Sequence, residues 1–406
     1  MKNTFLLLAL VALTLSCRGQ QIDAEKIKEH IKTLASDAYE GRGTGSAGEK
    51  KANEYIEKTF KKLKLEPKGE KGFDQSFTFK GGAHGTGAEG TAENLAAFLD
   101  NGAENTIIIG AHYDHLGLGL EGNSLDANPQ NKIHNGADDN ASGVAGVLEL
   151  ANYFKNNNTK EKTNFLFLCF SGEELGLYGS KYFTEHPTLD LTKVSYMINL
   201  DMVGRLNPDT KHLSVSGSGT SPVWEPILQK LSNDQVKIKT DSSGTGPSDH
   251  TSFYLKNIPV LHFFTGSHSD YHKPSDDWDK INYTGEVEVL KVIVKVIEEL
   301  EGQPKLAFLP TKSKSMSGTR SSFKVTMGIM PSYTSDVEGL LVDGVSEGKP
   351  AQKAGILAGD VITQIGSIAV KDIQNYMEAL GKFSKGETVP VKLKRKGEEL
   401  TVNVTF

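Results

Sequence analysis

Short apolar segments that alternate with amphipathic segments are the feature of this 406-residue sequence that most restricts its fold. Several of these segments are apolar throughout, which is typical of strands whose two faces are both covered by helices. Strands are predicted over residues 73–79, 94–99, 106–111, 164–170, 194–200 and 259–264, and helices over 142–155, 222–232 and 284–301. The pattern predicts an α/β fold, a three-layer sandwich with a mostly parallel central sheet.

The first residues have the features of an export signal. Lys2 and Asn3 precede the apolar run 5–15, which is too short to span a bilayer but suits the core of a signal peptide. A small residue before Cys17 is typical of a bacterial lipoprotein signal, although Thr14 stands where leucine is usual. We therefore expect residues 1–21 to be a signal peptide and the protein to reach the cell envelope or the exterior. A lipid anchor on Cys17 and ordinary cleavage beyond it both remain open.

Charge and cysteine content exclude several classes of protein. The 45 Lys and Arg residues and 51 Asp and Glu residues give a net charge of −6, and the absence of a long basic run argues against a nucleic-acid partner. Two cysteines are too few for a disulfide scaffold or a cysteine zinc site. Cys169 lies in an apolar run, so we expect it to be a small buried side chain without a disulfide partner.

The sequence divides into two domains. Residues 22–303 carry the alternating pattern, and residues 304–322 are rich in serine and contain Pro304 and Pro310, which is typical of a linker. The remaining residues, 323–406, are enough for one small domain.

Side chains of the metal-binding type follow the predicted strands. The carboxyl ends of parallel strands meet at one edge of a sheet, so these residues are expected to lie together. Imidazoles and carboxylates suit zinc, cobalt or manganese, and two such ions about 3.5–4 Å apart stabilise a hydrolytic transition state. Taken singly, the acidic residues could be helix caps or solvated loop residues. The candidates are His112, Asp138, Asp139, Glu173, Glu174, Asp201 and His272.

The segments that carry these residues resemble the motifs of metallopeptidase family 28. They are 112–114, 136–143, 171–176, 199–204 and 271–272, and the resemblance covers residues 22–303, including Glu40-Gly41-Arg42. It implies a secreted or envelope exopeptidase of the zinc exopeptidase fold, with two zinc ions per chain and, in most members, aminopeptidase activity.

The resemblance also implies the metal ligands. His112 and Asp201 would bind one zinc ion, and Glu174 and His272 would bind the other. Asp139 would bridge the two ions.

Three further roles follow from the same resemblance. Glu173 would be the general base that takes a proton from the attacking water. Asp114 would orient the imidazole of His112, and Tyr271 would donate a hydrogen bond to the developing oxyanion. Other polar residues near these motifs could line the site or support it: Asp138, His115, His134 and Asp249.

Residues 323–406 resemble a PDZ domain of the bacterial protease type. The similar segments are 327–329, 346–351, 354–356 and 359–362, and Gly328 would mark the loop that receives a peptide carboxylate. Binding of a peptide C-terminus and a purely packing role both remain open.

The prediction is therefore an exported zinc-dependent exopeptidase, foremost an aminopeptidase acting on peptides. Two enzymatic alternatives are a carboxypeptidase or dipeptidase on the same scaffold and a glutaminyl-cyclase-like transferase, which would use one zinc ion. An alternative of another class is a peptide-binding PDZ protein with a vestigial metal site.

Overall fold

The predicted strands lie in a nine-stranded sheet in the computed structural model, which describes residues 21–81, 89–121, 123–311, 325–331, 337–345, 348–371 and 373–406. The strands are β1 (Glu66–Pro67), β2 (Asp74–Lys80), β3 (Glu89–Leu99), β4 (Thr106–His112), β5 (Asn164–Phe170), β6 (Val194–Leu200), β7 (His212–Ser216), β8 (Lys237–Asp241) and β9 (Val260–Phe264). Their order is β1-β3-β5-β4-β6-β9-β7-β8, and β2 pairs with β3.

The centre of this sheet is parallel and its edges are mixed. Strands β5, β4, β6 and β9 run parallel to one another, whereas β3 is antiparallel to β5 and β7 is antiparallel to β9. Every residue of β4, β5 and β6 is buried, as their apolar composition predicts.

Helices cover both faces of the sheet. They are α1 (Ala24–Leu34), α2 (Ala47–Lys62), α3 (Gly143–Asn156), α4 (Tyr178–Glu185), α5 (Trp224–Leu231), α6 (His250–Tyr254) and α7 (Tyr283–Glu299). Side chains alternate between the two faces along each strand. Ile107 and Ile109 therefore belong to the core on the face covered by α1, α2, α3, α5 and α7. Ile108 belongs to the core on the opposite face, which α4 and α6 cover. The predicted three-layer sandwich is confirmed. Cys169 is buried and has no disulfide partner among the described residues.

The first two helices each begin at a polar side chain that caps the helix. Asp23 Oδ1 accepts a hydrogen bond from Glu25 N at 2.9 Å, and Ser46 Oγ accepts one from Glu49 N at 3.2 Å. The Glu49 carboxylate accepts hydrogen bonds from Gly45 N and from the hydroxyl of Ser171. This cap therefore also ties α2 to the turn after β5.

Glu149 on α3 gives the fold a testable pH dependence. It is fully buried and accepts hydrogen bonds from Asp23 N at 3.0 Å and Asn152 Nδ2 at 3.1 Å. Burial raises the pKa of Glu149 from 4.5 to about 7. The folded protein therefore retains a proton that the unfolded chain releases, and the associated stability, complete below pH 4.5, is lost as the pH rises through about 7.

We expect Glu149→Gln to raise Tm by about 5 °C at pH 8, because the amide remains neutral. At pH 4 the two proteins should unfold at similar temperatures. Calorimetric scans across this pH range measure the difference, with the exposed Glu185→Gln as a control for loss of one negative charge. A Tm difference that does not change with pH would contradict the prediction.

The first part of the predicted linker packs against the large sheet domain. Leu306 N donates a hydrogen bond to Ser195 Oγ at 3.2 Å, and Thr311 N donates one to Tyr254 OH at 2.9 Å. The ring of Phe308 lies 5.4 Å from that of Tyr254. Residues 312–324 lie outside the described residues, as do 1–20, which contain most of the predicted signal and Cys17.

The C-terminal residues form a second, antiparallel sheet with its own apolar core. Its elements are β10 (Ile329–Pro331), β11 (Leu340–Val345), α8 (Pro350–Lys353), β12 (Val361–Ile365), β13 (Ile368–Ala369), α9 (Ile373–Leu380), β14 (Thr388–Arg395) and β15 (Glu398–Thr405). The order is β10-β11-β12-β14-β15, with β13 beside β12. In the part of the chain that is described, no helix is both long and apolar enough to span a bilayer.

Candidate metal centre

Three neighbouring parallel strands bring four candidate residues to one edge of the sheet. His112 is the last residue of β4, Glu173 and Glu174 follow β5, and Asp201 follows β6. Because β4 pairs with β5 on one side and with β6 on the other, these side chains converge where the strands end.

Asp139 reaches this edge from a short turn that precedes α3. The backbone N–H groups of Asp138 and Asp139 both donate to Asp276 Oδ2 at 3.0 Å, and the Asp139–Asn140 peptide bond is cis. The carboxylate of Asp138 points elsewhere: it accepts a hydrogen bond from Gly204 N at 2.7 Å and contacts His268 Nε2 at 3.1 Å. Only the second aspartate of the pair therefore faces the other candidate ligands.

The five predicted ligands form two groups that share Asp139. His112 Nε2 lies 3.4 Å from Asp139 Oδ1 and 3.5 Å from Asp201 Oδ1. His272 Nε2 lies 3.2 Å from Asp139 Oδ2 and 3.2 Å from Glu174 Oε2. Each carboxylate oxygen of Asp139 thus faces a different imidazole, which is the arrangement that a bridging ligand requires.

These separations fit zinc. With zinc–ligand bonds of about 2.0–2.1 Å, adjacent donors of a tetrahedral site are about 3.3 Å apart. The observed separations of 3.2–3.5 Å therefore leave room for one ion in each group. The donors are imidazole nitrogens and carboxylate oxygens, and this combination of ligands also suits zinc chemically.

Backbone carbonyls orient both imidazoles. His112 Nδ1 lies 3.2 Å from the carbonyl oxygen of Asp114, and His272 Nδ1 lies 2.9 Å from that of Asn123. A proton on Nδ1 leaves the Nε2 lone pair free for a metal. The carboxylate of Asp114 is farther from His112, at 3.7 Å, and accepts hydrogen bonds from Thr44 Oγ1 and Glu173 N.

The two adjacent glutamates have opposite electrostatic environments. Burial raises the pKa of Glu173 well above its ordinary value, and His112 only partly opposes this. Burial alone would also raise the pKa of Glu174, but His272 and His115 outweigh it and hold that pKa well below the ordinary value. The imidazoles therefore favour the anionic form of Glu174.

The four remaining residues named from the sequence have different surroundings in the structure. Asp249 is fully buried, and burial raises its pKa to about 7. His134 supports a loop, since its Nε2 lies 2.7 Å from Ser124 Oγ. Tyr271 stacks on His272, with 3.9 Å between ring centres. His115, which the sequence placed only near the site, lies within it: its Nδ1 is 2.8 Å from Glu174 Oε1.

Comparison with known proteins identifies the family of the large domain and the type of the C-terminal domain. The profile of peptidase family M28 matches residues 94–297, and a PDZ domain profile matches residues 325–406. Leupeptin-inactivating enzyme 1 of Streptomyces exfoliatus is 29% identical over 257 residues, which are 62% of this chain and 51% of that enzyme. Leucine aminopeptidase 2 of Trichophyton equinum is 28% identical over 186 residues, 44% of this chain and 34% of that protein. The chain thus spans about half or less of these relatives.

A solved structure shares the fold at low identity. Glutaminyl cyclase of Bacteroides thetaiotaomicron superposes with a TM-score of 0.54 and 18% identity, over 69% of this chain and 98% of the cyclase. At that identity the similarity establishes the fold alone. The family match covers half of the chain and includes all five residues of the two donor groups. The chain belongs to peptidase family M28 and carries a C-terminal PDZ domain.

Proposed function

We propose that this chain is an exported zinc-dependent aminopeptidase that removes N-terminal residues from peptides. The observation that carries the proposal is the pair of donor groups that share Asp139, with donors spaced as two zinc ions require. Membership of a peptidase family supports peptide-bond hydrolysis, and the relative named as a leucine aminopeptidase supports action at the amino end.

The residues around the two groups have separate tasks in this proposal. When bound, zinc lowers the pKa of a water molecule from about 15.7 toward 7 and polarises the scissile carbonyl. Glu173 takes a proton from the attacking water and passes it to the leaving amine. Asp114 Oδ1 accepts a hydrogen bond from Glu173 N at 3.2 Å, which fixes the backbone of this base beside His112. Tyr271, stacked on His272, donates a hydrogen bond to the developing oxyanion.

The two donor groups also help to decide between the alternative functions predicted from the sequence. Both groups are complete, which favours a two-metal hydrolase over a transferase with one zinc ion. All five ligands and Glu173 are present, which argues against a vestigial site in a protein whose only task is peptide binding. A carboxypeptidase or dipeptidase would use the same donors, so the choice between ends of the substrate needs an assay.

We expect the purified protein to hydrolyse amino-acid p-nitroanilides with a free α-amine and to leave the corresponding N-acetylated compounds intact. A chelator should abolish this hydrolysis and added zinc should restore it, because water at neutral pH is activated only by the bound ions. N-blocked peptides with a free carboxylate serve as the control for carboxypeptidase activity. Hydrolysis of the blocked compounds alone would contradict the proposal, as would a content of one zinc ion per chain with cyclase activity.

Two finer parts of the proposal rest on other segments. Export, with a lipid anchor on Cys17 as one possible form, is inferred from the sequence of residues 1–21. Binding of a peptide C-terminus by the PDZ domain is supported by β10, which pairs with β11 on one side and is the end strand of its sheet among the described residues. Gly328, beside β10, has φ +74° and lies against Lys349.

A further inference from the structure

His115 is a buried imidazole that the family's five ligands and base do not account for. It lies three residues after His112, has a side-chain exposure of 0%, and its backbone N donates to Arg42 O at 3.0 Å. Its Nδ1 lies 2.8 Å from Glu174 Oε1, and its Nε2 has no hydrogen-bond partner among the described residues. One ring nitrogen is therefore committed to Glu174.

We propose that His115 is a positioning residue that donates its Nδ1 proton to Glu174 Oε1 and so turns Glu174 Oε2 toward the second metal position. This inference rests on the proposed function to the extent that it requires the donor groups to bind metal. The two oxygens of Glu174 face different imidazoles: Oε1 faces His115 at 2.8 Å and Oε2 faces His272 at 3.2 Å. With Oε1 held in a hydrogen bond, Glu174 presents a single oxygen to the ion.

The distances distinguish a hydrogen-bond donor from a further ligand. His115 Nδ1 is 2.8 Å from Glu174 Oε1, a normal hydrogen-bond length, but 3.7 Å from Asp139 Oδ2. Two ligands of one tetrahedral zinc ion would be about 3.3 Å apart, as His272 is from the same carboxylates. His115, Asp139 and Glu174 also offer donor atoms within 4.8 Å of one another. The 2.8 Å separation of His115 Nδ1 and Glu174 Oε1 is nevertheless that of a hydrogen bond, so His272 takes the ligand position and His115 the position behind Glu174.

The surroundings hold the His115 ring in place. Gly136 lies directly against it: a Cβ at that position would come within 2.4 Å of His115 Cδ2. Gly136 also has φ +56°, so a larger residue there would be strained as well as crowded. The ring has little freedom to rotate away from Glu174, which is what a positioning role requires.

Two variants of different hydrogen-bonding capacity test the inference. His115→Leu keeps comparable bulk but has no donor, and His115→Asn places an amide N–H near the position of Nδ1. We expect H115L to weaken zinc binding at one of the two positions by about 10–100-fold and H115N to remain within a few-fold of the wild type. Zinc retained after equilibration with graded chelator, measured by mass spectrometry, reports affinity without an activity assay. His186→Asn, at an exposed histidine, is the matched control.

The cobalt-substituted proteins give a second readout. Loss of Glu174 orientation should alter the visible absorption of one of two bound Co²⁺ ions in H115L and leave it unchanged in H115N. If H115L does not fold, His115→Ala replaces it in both measurements. Wild-type zinc retention in the variant that lacks the donor would overturn the inference, and so would equal losses in the leucine and asparagine variants. A wild-type protein that holds two zinc ions but releases no N-terminal residues would refute the proposed function while leaving this inference intact.

Discussion

Replacement of Glu173 by glutamine is expected to lower kcat by about 10²–10⁴-fold while both zinc ions remain bound. Glutamine is similar in size but cannot accept the proton of the attacking water or pass it to the leaving amine. Glu173 belongs to neither of the two donor groups that share Asp139, so the metal positions should be unaffected. A loss confined to the chemical step would appear as a fall in kcat with little change in KM.

The neighbouring glutamate supplies the matched control for this variant. Glu174→Gln makes the same chemical change one residue later, but here the carboxylate faces His272 and should be a ligand. We expect E174Q to lose one zinc ion and E173Q to keep two, as measured by metal analysis of the dialysed proteins. Undiminished hydrolysis by E173Q would exclude Glu173 as the base, and loss of zinc from E173Q would make it a ligand instead.

The central strands were predictable because their environment is uniform. Both β5 and β6 have the predicted bounds, since a strand buried on both faces is apolar throughout and ends where polar residues begin. Strand β3 begins at Glu89, five residues before the predicted start at 94. Its first half pairs only with β2 and is partly exposed, so its polar residues and Gly90 hide the pattern.

The edge of the sheet was less predictable. Strands β7 and β8 were missed because each has five residues and combines apolar with polar side chains. In β8, no residue is fully buried, so there is no apolar run to recognise. Their place in the sheet depends on pairing with each other and with β9, which a local pattern does not contain.

The candidate site was predictable where its residues follow strands. His112, Glu174 and Asp201 each lie at a strand end, so sheet topology alone brings them together. The role of His115 depends on Glu174, 59 residues farther along the chain. The only hint of this role in the sequence was the presence of two histidines three residues apart at the end of β4. That spacing alone does not distinguish a metal ligand from a hydrogen-bond donor to a ligand or from a side chain that only packs in the core.

Arg42 illustrates a structural role that the sequence did not reveal. It lies in the glycine-rich loop before α2, and its guanidinium is fully buried. Nε donates to Tyr113 O at 2.9 Å, Nη1 to Leu34 O and Asn135 O at 2.7 Å, and Nη2 to Gly136 O at 2.9 Å. Burial lowers the pKa of Arg42 to about 10, and nearby carboxylates, Asp139 first among them, oppose this. One side chain thus joins the end of α1, the residue after His112 and the turn that leads to Asp139.

We expect Arg42→Met to destabilise the large domain by at least about 4 kcal/mol, because four buried carbonyl groups lose a charged donor and methionine offers none in return. For a domain of this size, the loss corresponds to a fall in Tm of about 10 °C. Arg42→Lys keeps the charge but has a single nitrogen, so it should recover only part of the stability. Calorimetry of the wild type, R42K and R42M measures the loss of stability along the series. Zinc retention should weaken in the same order, because Gly136 and Tyr113 adjoin segments that carry the proposed ligands. Unchanged unfolding of R42M would mean that water or neighbouring groups can satisfy these carbonyls, and that the turn before Asp139 is held by Asp276 alone.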